Sequence, residues 1–327
     1  MPKAIVIHEY GGPEVLKWED HDPGEPGPGE LRIRHSAMGL NYRDVYHRNG
    51  SYGVPGDEFP AVIGSDGAGV VEAVGPDVRE FEVGDRVAYG TGPMGSYAEV
   101  RNFPERFALP IPDDVEDRVA AAMIVKGLTA HNLIRTCYEV KAGETILIHA
   151  VAGGVGLIAC QWAAALGATV IGTTSSEEKA EIARAHGCHH VIDYTTDNFA
   201  GRVNEITGGA GVPVIFDGVG AATYEGDLEC LAPLGFLIGY GNASGNFPKV
   251  EPLDLMHKGS LYFQRISGNH FNTTRETLLS TINEMFDLVR DGTIDIEIGG
   301  TYPLREARQA HIDLEGRKTK GSVVYTV

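Results

Sequence analysis

The stretch TILIHAVAGGVGLIACQWAAALGATVIGT, residues 145–173, decides the fold. Thr145–Ala150 is a short apolar run rich in β-branched residues, the pattern of a strand buried on both faces of a parallel sheet. Val151–Gly156 (VAGGVG) turns directly into an unbroken apolar helix, Leu157 to Leu166, which Gly167 ends. Ala168–Thr173 is the second strand. A glycine turn between strand and helix lets a pyrophosphate approach the backbone and sit on the first N–H groups of the helix, where the dipole is positive. The G-x-G-x-x-G pattern would place glycine at 151, 153 and 156, and here Val151 stands first. The strand–turn–helix–strand setting therefore carries the dinucleotide reading more than the turn does. Gln161 alone interrupts the apolar surface of the helix, and is expected to lie buried against the sheet.

Around this centre the chain divides in three. Before residue 115 the pattern is all-β, punctuated by glycine and proline. Ala4–His8, Leu31–Ala37, Gly67–Val74, Arg86–Tyr89 and Tyr97–Val100 read as strands, and Asp22–Gly29 as a turn-rich connector. Tyr42–Asn49 is a lone short helix closed by Gly50, so this part predicts a small barrel-like β-domain. Val115–Thr136 reads as a long helix leading into the nucleotide domain. Beyond Thr173 helices around Glu177–His186, Phe199–Ile206 and Thr223–Leu231 precede the strands Val191–Asp193, Val214–Asp217 and Gly235–Tyr240. Such alternation predicts a parallel sheet covered on both faces, with Ser260–Ile266 as its last strand. From Thr273 an amphipathic helix to Arg290, a strand Ile294–Ile298, a helix near Arg305–Leu314 and a strand Ser322–Val327 read as a return to the first domain.

Composition narrows the function. The 327 residues suffice for two domains with proper cores, and 43 glycines, against ordinary usage of roughly 7%, imply many tight turns. A formal charge of −18 speaks against nucleic acid or an anionic membrane as partner. No apolar run reaches the ~18 residues of a membrane span, and Met1-Pro2-Lys3 leads straight into AIVIH, so a cytoplasmic protein is expected. Cys137, Cys160, Cys188 and Cys230 are scattered without a CxxC pair and read as buried reduced thiols.

HEYGGPEVL (8–16), GLNYRD (39–44), VGDRV (83–87), KGLTA (126–130), HAVAGGVGLIACQWAAALGA (149–168), GNASG (241–245) and GRKTKGSVV (316–324) together resemble the medium-chain dehydrogenase/reductase superfamily. Within it they resemble the zinc-free quinone oxidoreductases of the zeta-crystallin type. The resemblance spans essentially the whole chain. It implies a GroES-like β-barrel-type catalytic domain over residues 1–124, a Rossmann-type dinucleotide-binding domain over 125–270, and a return to the catalytic domain over 271–327. It further implies NADPH as cofactor, a quinone or enone as small-molecule substrate, and a homodimer. Arg43 is more polar than the family pattern leads one to expect, and Ser175-Ser176 falls in a variable part of the phosphate-binding loop.

The site residues follow from both sources. By resemblance Asn41, Tyr46 and Tyr52, around the lone short helix, face the nicotinamide. Asn41 would orient the cofactor end and Tyr52 hydrogen-bond the acceptor oxygen. Lys126 and Thr129 are carried over as contacts of the interdomain helix, and Lys126 with the catalytic group. Gly153, Gly154 and Val155 carry the pyrophosphate. The second strand ends Ile171-Gly172-Thr173-Thr174 without the carboxylate that an NAD site places about 20 residues beyond its glycines. Thr173, Ser175, Ser176 and Lys179 instead suit a ribose phosphate, which favours NADPH over NADH. Ser175 with Glu178 also matches a capping box, compatible with phosphate binding if Glu177 and Glu178 face solvent. Tyr194 is placed to cover the adenine end, and Tyr240, Gly241 and Asn242 lie at the carboxyl end of a strand, where open α/β sheets bind ligands. Gln264, Arg265 and Arg317 are assigned to the cofactor by resemblance.

No metal site is expected. Zinc relatives carry Gly-His-Glu where this chain has Gly64-Ser65-Asp66, and the adjacent trio Cys188-His189-His190 cannot aim three side chains at one ion on entering a strand. Hydride addition to a quinone leaves a resonance-stabilised anion that needs alignment more than a Lewis acid. An enone or enoyl-thioester reductase is the rival enzyme, and a non-catalytic NADPH- or RNA-binding protein the rival from another class. The charge and the lack of a basic stripe disfavour the RNA reading.

Overall fold

In the computed structural model, which describes all 327 residues, the chain divides into two units. Met1–Leu128, Asn272–Arg290 and Ile296–Val327 form the first; Thr129–Phe271 with Asp291–Asp295 form the second.

The first unit contains the strands β1 (Lys3–Ile7), β2 (Lys17–Asp20), β3 (Glu30–Leu40), β4 (Ala61–Val62), β5 (Gly67–Val74), β6 (Arg86–Tyr89), β7 (Val100–Pro104) and β8 (Leu109–Pro110). Helix α1 (Tyr42–Arg48) follows β3, and α2 (Asp117–His131) follows β8. Strand β3 is the hub. It pairs antiparallel with β5 along one edge and with β7 along the first half of the other. Its alternating residues Leu31 and Ile33 pack with Val71, Val87, Tyr89 and Phe103 into one core. Pairing of the expected strand Tyr97–Val100 begins only at Val100. Tyr97 and Ala98 lie before it, and Ala98 forms a single bridge to Ala4. The short strands β2, β4 and β8 carry too few residues for alternation to reveal them. Helix α2 gives way to a π-helical turn, Asn132–Cys137, where the long-helix reading was continuous.

The second unit runs β9 (Thr145–Ile148), α3 (Gly154–Ala165), β10 (Thr169–Thr174), α4 (Glu177–Ala185), β11 (His190–Asp193), α5 (Phe199–Ile206), β12 (Val212–Asp217), α6 (Tyr224–Cys230), β13 (Leu231–Gly239), α7 (Pro252–His257) and β14 (Tyr262–Arg265). All six strands are parallel, in the order β11-β10-β9-β12-β13-β14. This is the doubly wound order, with the topological switch between β9 and β12. Leu147, Ile171, Ile192, Ile215 and Leu237 supply a core against Ala200, Val203 and Leu228 of α5 and α6.

The chain then returns to the first unit through α8 (Arg275–Arg290), β15 (Ile298–Pro303), α9 (Ala307–Glu315) and β16 (Ser322–Thr326). Strand β16 pairs antiparallel with the second half of β3, Val323 opposite Leu40. The strand expected at Ile294–Ile298 lies further on, because the apolar signal of Ile294 reports one buried residue in a turn. Gln161 is also corrected. It is half-buried, its Nε2 donates to the Asp295 carbonyl (3.0 Å), and its Oε1 accepts the Asp295 N–H (2.8 Å). A backbone-like two-point bond from one side chain holds residues 291–295 to α3, and this is why Gln161 interrupts an otherwise apolar helix.

Candidate active site

In the first unit the site grows from the N-terminus of α1. The Asn41 N–H donates to Asp44 Oδ2 (2.9 Å), closing the first turn, and Asn41 Nδ2 donates to Asp66 Oδ1 (2.8 Å). Asp44 is fully buried yet well supplied, since Ser65 Oγ (2.5 Å) and Tyr97 Oη (2.9 Å) also donate to it. Asp66 has less. Burial raises its carboxyl to about 6 against the pull of the Lys126 ammonium. Lys126 is 6% exposed, and burial lowers its own proton affinity while Asp66 and Asp44 raise it. Lys126 Nζ and Asp66 Oδ2 are both buried without a hydrogen-bond partner. Gly39 shows how closely the carboxylate is enclosed: a Cβ there would lie 2.7 Å from both Asp66 oxygens.

Tyr46 is buried and packs its ring 4.9 Å from that of Tyr52, which is 50% exposed. Arg43 is occupied locally, Nε donating to His47 Nε2 (3.4 Å), while His47 Nδ1 donates to the Gly53 carbonyl (2.6 Å). The other end of α1 is fixed through the tail. Arg48, 2% exposed, grips Glu315 with two bonds of 2.8 and 2.9 Å and donates to His311 Nδ1 (3.0 Å). Burial and the Arg48 charge hold His311 neutral, its proton affinity lowered to about 3, so its Nε2–H donates to Tyr97 Oη (3.3 Å). Tyr97 in turn donates to Asp44. Arg317 lies just past α9, exposed and left-handed at φ 58°.

In the second unit the glycine turn sits at the carboxyl end of β9. Ala150 is left-handed (φ 51°), a strained conformation for a residue with a Cβ. Gly153 is the N-cap of α3, and Gly153, Gly154 and Val155 are half-exposed, with the first-turn N–H groups lacking intrahelical acceptors. Gly156 is the position where only glycine fits: a Cβ would lie 2.5 Å from the Ala150 carbonyl and 2.8 Å from Val151 Cα.

Thr173 requires correction as a contact residue. It is fully buried, and its hydroxyl is committed to His149 Nδ1 (2.9 Å) and to the Ala150 N–H (3.3 Å). The helix cap is also shifted by one residue: Ser176, not Ser175, accepts the Lys179 N–H (3.4 Å). Glu177 and Glu178 are exposed, Arg184 pairs with Glu177, and Lys179 is half-buried. The Tyr194 N–H donates to the Thr174 carbonyl (3.2 Å), which sets this tyrosine beside the end of β10. Tyr240 and Gly241 crowd Gly218, whose added Cβ would lie 2.8 Å from the Tyr240 ring. Arg265 donates to the Gly239 carbonyl (3.3 Å) and to Asn242 Oδ1 (3.3 Å), tying these strand ends together. Gln264 alternates to the opposite face of β14 and is exposed, apart from that cluster. Thr129 stands half-buried at the start of this unit.

Cys188, His189 and His190 diverge. The Cys188 thiol donates to the His190 carbonyl (3.3 Å), His189 Nδ1 accepts the Val170 N–H (3.1 Å), and His190 is exposed at the head of β11. Ser65 and Asp66 are engaged by Asp44 and Asn41. Asp44, Asp66, Tyr97, His311 and His149 were not singled out in the sequence. The Asn-x-x-Asp spacing of Asn41 and Asp44, and a histidine inside an apolar strand at 149, were the available signals.

A doubly wound sheet in one unit and a β-unit completed by the chain's tail in the other are the architecture of the medium-chain dehydrogenases and reductases. Residues 27–113 match the alcohol dehydrogenase GroES-like domain, and residues 154–284 the zinc-binding dehydrogenase domain. A quinone oxidoreductase of Pseudomonas aeruginosa is 50% identical over 324 residues, covering 99% of each chain. A 2-haloacrylate reductase of a Burkholderia species is 44% identical, covering 99% of this chain and 98% of its own. The crystal structure of the Escherichia coli quinone oxidoreductase complexed with NADPH superposes with a TM-score of 0.97 at 41% identity, covering 99% of this chain and 100% of its own. The chain belongs to the zeta-crystallin-like quinone oxidoreductase family.

Proposed function

We propose that this protein is an NADPH-dependent quinone oxidoreductase, passing a hydride to a quinone or a similar conjugated carbonyl compound. The observation that carries the reading is the pairing of an open glycine cradle at Gly153–Val155 with a strand β10 that ends without a carboxylate and runs on into the half-buried Ser175 and Ser176. The residues present fit the cofactor. The half-exposed turn suits a pyrophosphate, Ser175, Ser176 and Lys179 suit a ribose phosphate, and the buried Lys126 ammonium suits a ribose hydroxyl. NADPH, when bound, supplies the hydride.

The chain's own groups do the rest. Tyr194 covers the adenine end, while Tyr240, Gly241, Asn242, Gln264, Arg265 and Arg317 hold the cofactor along its length. Asn41, Tyr46, Lys126 and Thr129 orient the nicotinamide end. Tyr52 donates a hydrogen bond to the acceptor oxygen, and the Lys126 ammonium, with its lowered proton affinity, holds a proton for the reduced product.

The 2-haloacrylate reductase among the relatives favours a second reading, an activated-alkene reductase, because both acceptors take hydride at a conjugated system. Following NADPH oxidation with ortho- and para-quinones, enones, 2-haloacrylate and crotonyl thioesters separates them. The highest kcat/KM is expected with quinones, and activity on thioesters alone overturns the reading.

We also infer a cytoplasmic homodimer. Four free thiols suit a reducing compartment. The edge strand β14, with Tyr262 half-exposed and stacked 4.5 Å from Phe236, suits pairing with a second copy about a two-fold axis. Light scattering at micromolar protein is expected to give twice the chain mass.

A further inference from the structure

Beneath the glycine turn lies a polar chain that the proposed reaction does not use. His149 is the residue after β9, fully buried, with its ring edge-on to Phe199 at 5.0 Å. Its Nε2–H donates to Asp227 Oδ1 (2.6 Å) on α6, also fully buried. On its other side His149 Nδ1 hydrogen-bonds the Thr173 hydroxyl (2.9 Å), and the Thr173 oxygen accepts the Ala150 N–H (3.3 Å). The Thr173 carbonyl accepts the next N–H, that of Val151 (3.1 Å). Asp217, at the end of β12, anchors the facing loop: it accepts the N–H groups of Val219 (2.5 Å) and Gly220 (3.2 Å) and the hydroxyl of Thr223 (2.8 Å). One chain thus runs from α6 through β9 and β10 to the residue at φ 51°, at the switch point of the sheet.

Burying a histidine, two carboxylates and a threonine in a sheet core is costly unless each has its partner. A left-handed alanine is a second cost. Both fall on the turn that opens α3. We propose that His149 is a positioning residue: through Thr173 it holds Ala150 left-handed, so that the cradle is formed before the dinucleotide arrives. A preformed cradle avoids the ordering cost on binding. The inference rests on the dinucleotide reading for its purpose, but the turn can be observed without any nucleotide.

Two substitutions separate the arms of the imidazole. His149→Asn keeps a hydrogen-bonding amide group near the Nδ1 position and loses the bond to Asp227. His149→Gln keeps a donor near Nε2 and loses the bond to Thr173. Hydrogen–deuterium exchange on the nucleotide-free protein should show the segment 149–156 exchanging at least tenfold faster in the Gln variant than in wild type, and near wild type in the Asn variant. NADPH affinity, followed by fluorescence titration, should fall about tenfold in the Gln variant and less than threefold in the Asn variant. Thr173→Val should reproduce the Gln variant and Thr173→Ser restore wild-type behaviour, which supplies the same test should a position-149 variant not fold. Equal effects of Asn and Gln, or unchanged exchange in both the Gln and Thr173→Val variants, overturn the proposal. A turn loosened as expected in a protein whose wild type does not bind NADPH leaves the positioning role standing and refutes the cofactor reading instead.

Discussion

Replacing Asp66 by asparagine should make the protein more stable at neutral pH and a worse enzyme. Asp66 is wholly enclosed, and the largest influence on its carboxyl is burial, which outweighs the attraction of Lys126 and raises it from 3.8 to about 6. The unfolded chain releases this proton near the ordinary value, whereas the folded chain keeps it until about pH 6. The folded state therefore binds more protons between those values, and stability from this group is lost as pH rises through about 6. A shift of about two units at about 1.4 kcal/mol each amounts to about 3 kcal/mol. Because the raised value already contains the Lys126 attraction, a neutral amide of the same shape avoids the whole penalty. Asp66→Asn should match wild type below pH 4 and exceed it by about 3 kcal/mol at pH 7.5, about 6–12 °C in Tm for a domain of this size. Thermal unfolding of both proteins from pH 4 to 8 reads this directly. Meanwhile kcat/KM should fall, because Asn41 and Lys126 lose the charge that orients one and keeps the other protonated. An Asp66→Asn protein less stable than wild type at pH 7.5 would show that the ion-pair attraction wins and refute the reasoning.

Other outcomes are equally direct. Tyr52→Phe removes one hydroxyl from a half-exposed ring and should cost about 0.5–1.5 kcal/mol in kcat/KM with Tm unchanged; no kinetic change would leave Tyr52 a packing residue. Lys179→Ala should weaken NADPH roughly 10- to 150-fold, the equivalent of about 1.5–3 kcal/mol, and leave NADH nearly untouched in parallel titrations. Gly156→Ala places a methyl 2.5 Å from the Ala150 carbonyl and should lower stability by about 1–3 kcal/mol in urea unfolding while abolishing dinucleotide binding. Treatment with a zinc chelator should leave activity unchanged, and loss of activity restored by zinc would refute that.

The nucleotide unit was legible because its information is local: an apolar strand, a glycine turn and an apolar helix within thirty residues, followed by regular alternation of helices and strands. What escaped the sequence is set by distance. Lys126 is singled out by resemblance, but its partner Asp66, in the loop between β4 and β5, is not. His311 bonds Tyr97 across 214 residues, and no spacing announces that. Gln161 was noticed, but its partner is the backbone of Asp295, which no side-chain pattern can reveal. Thr173 was noticed for its hydroxyl, correctly in that the hydroxyl is used, yet the strand's pleat turns it inward to His149. The Ser175–Glu178 capping pattern misled by one residue because two adjacent serines offer the same cap.

The link from Arg48 to Glu315 and His311 also dictates an order of assembly. Arg48 and its partners are more than 260 residues apart, and half of one edge of β3 waits for β16. A ribosome adding roughly 5–20 residues per second leaves that guanidinium and that edge uncovered for many seconds. All six strands of the nucleotide unit, by contrast, emerge in one uninterrupted run, so that unit can close while the last helices are still being made. The nucleotide unit thus has all its strands in hand while the first unit still waits for α9 and β16 to complete it.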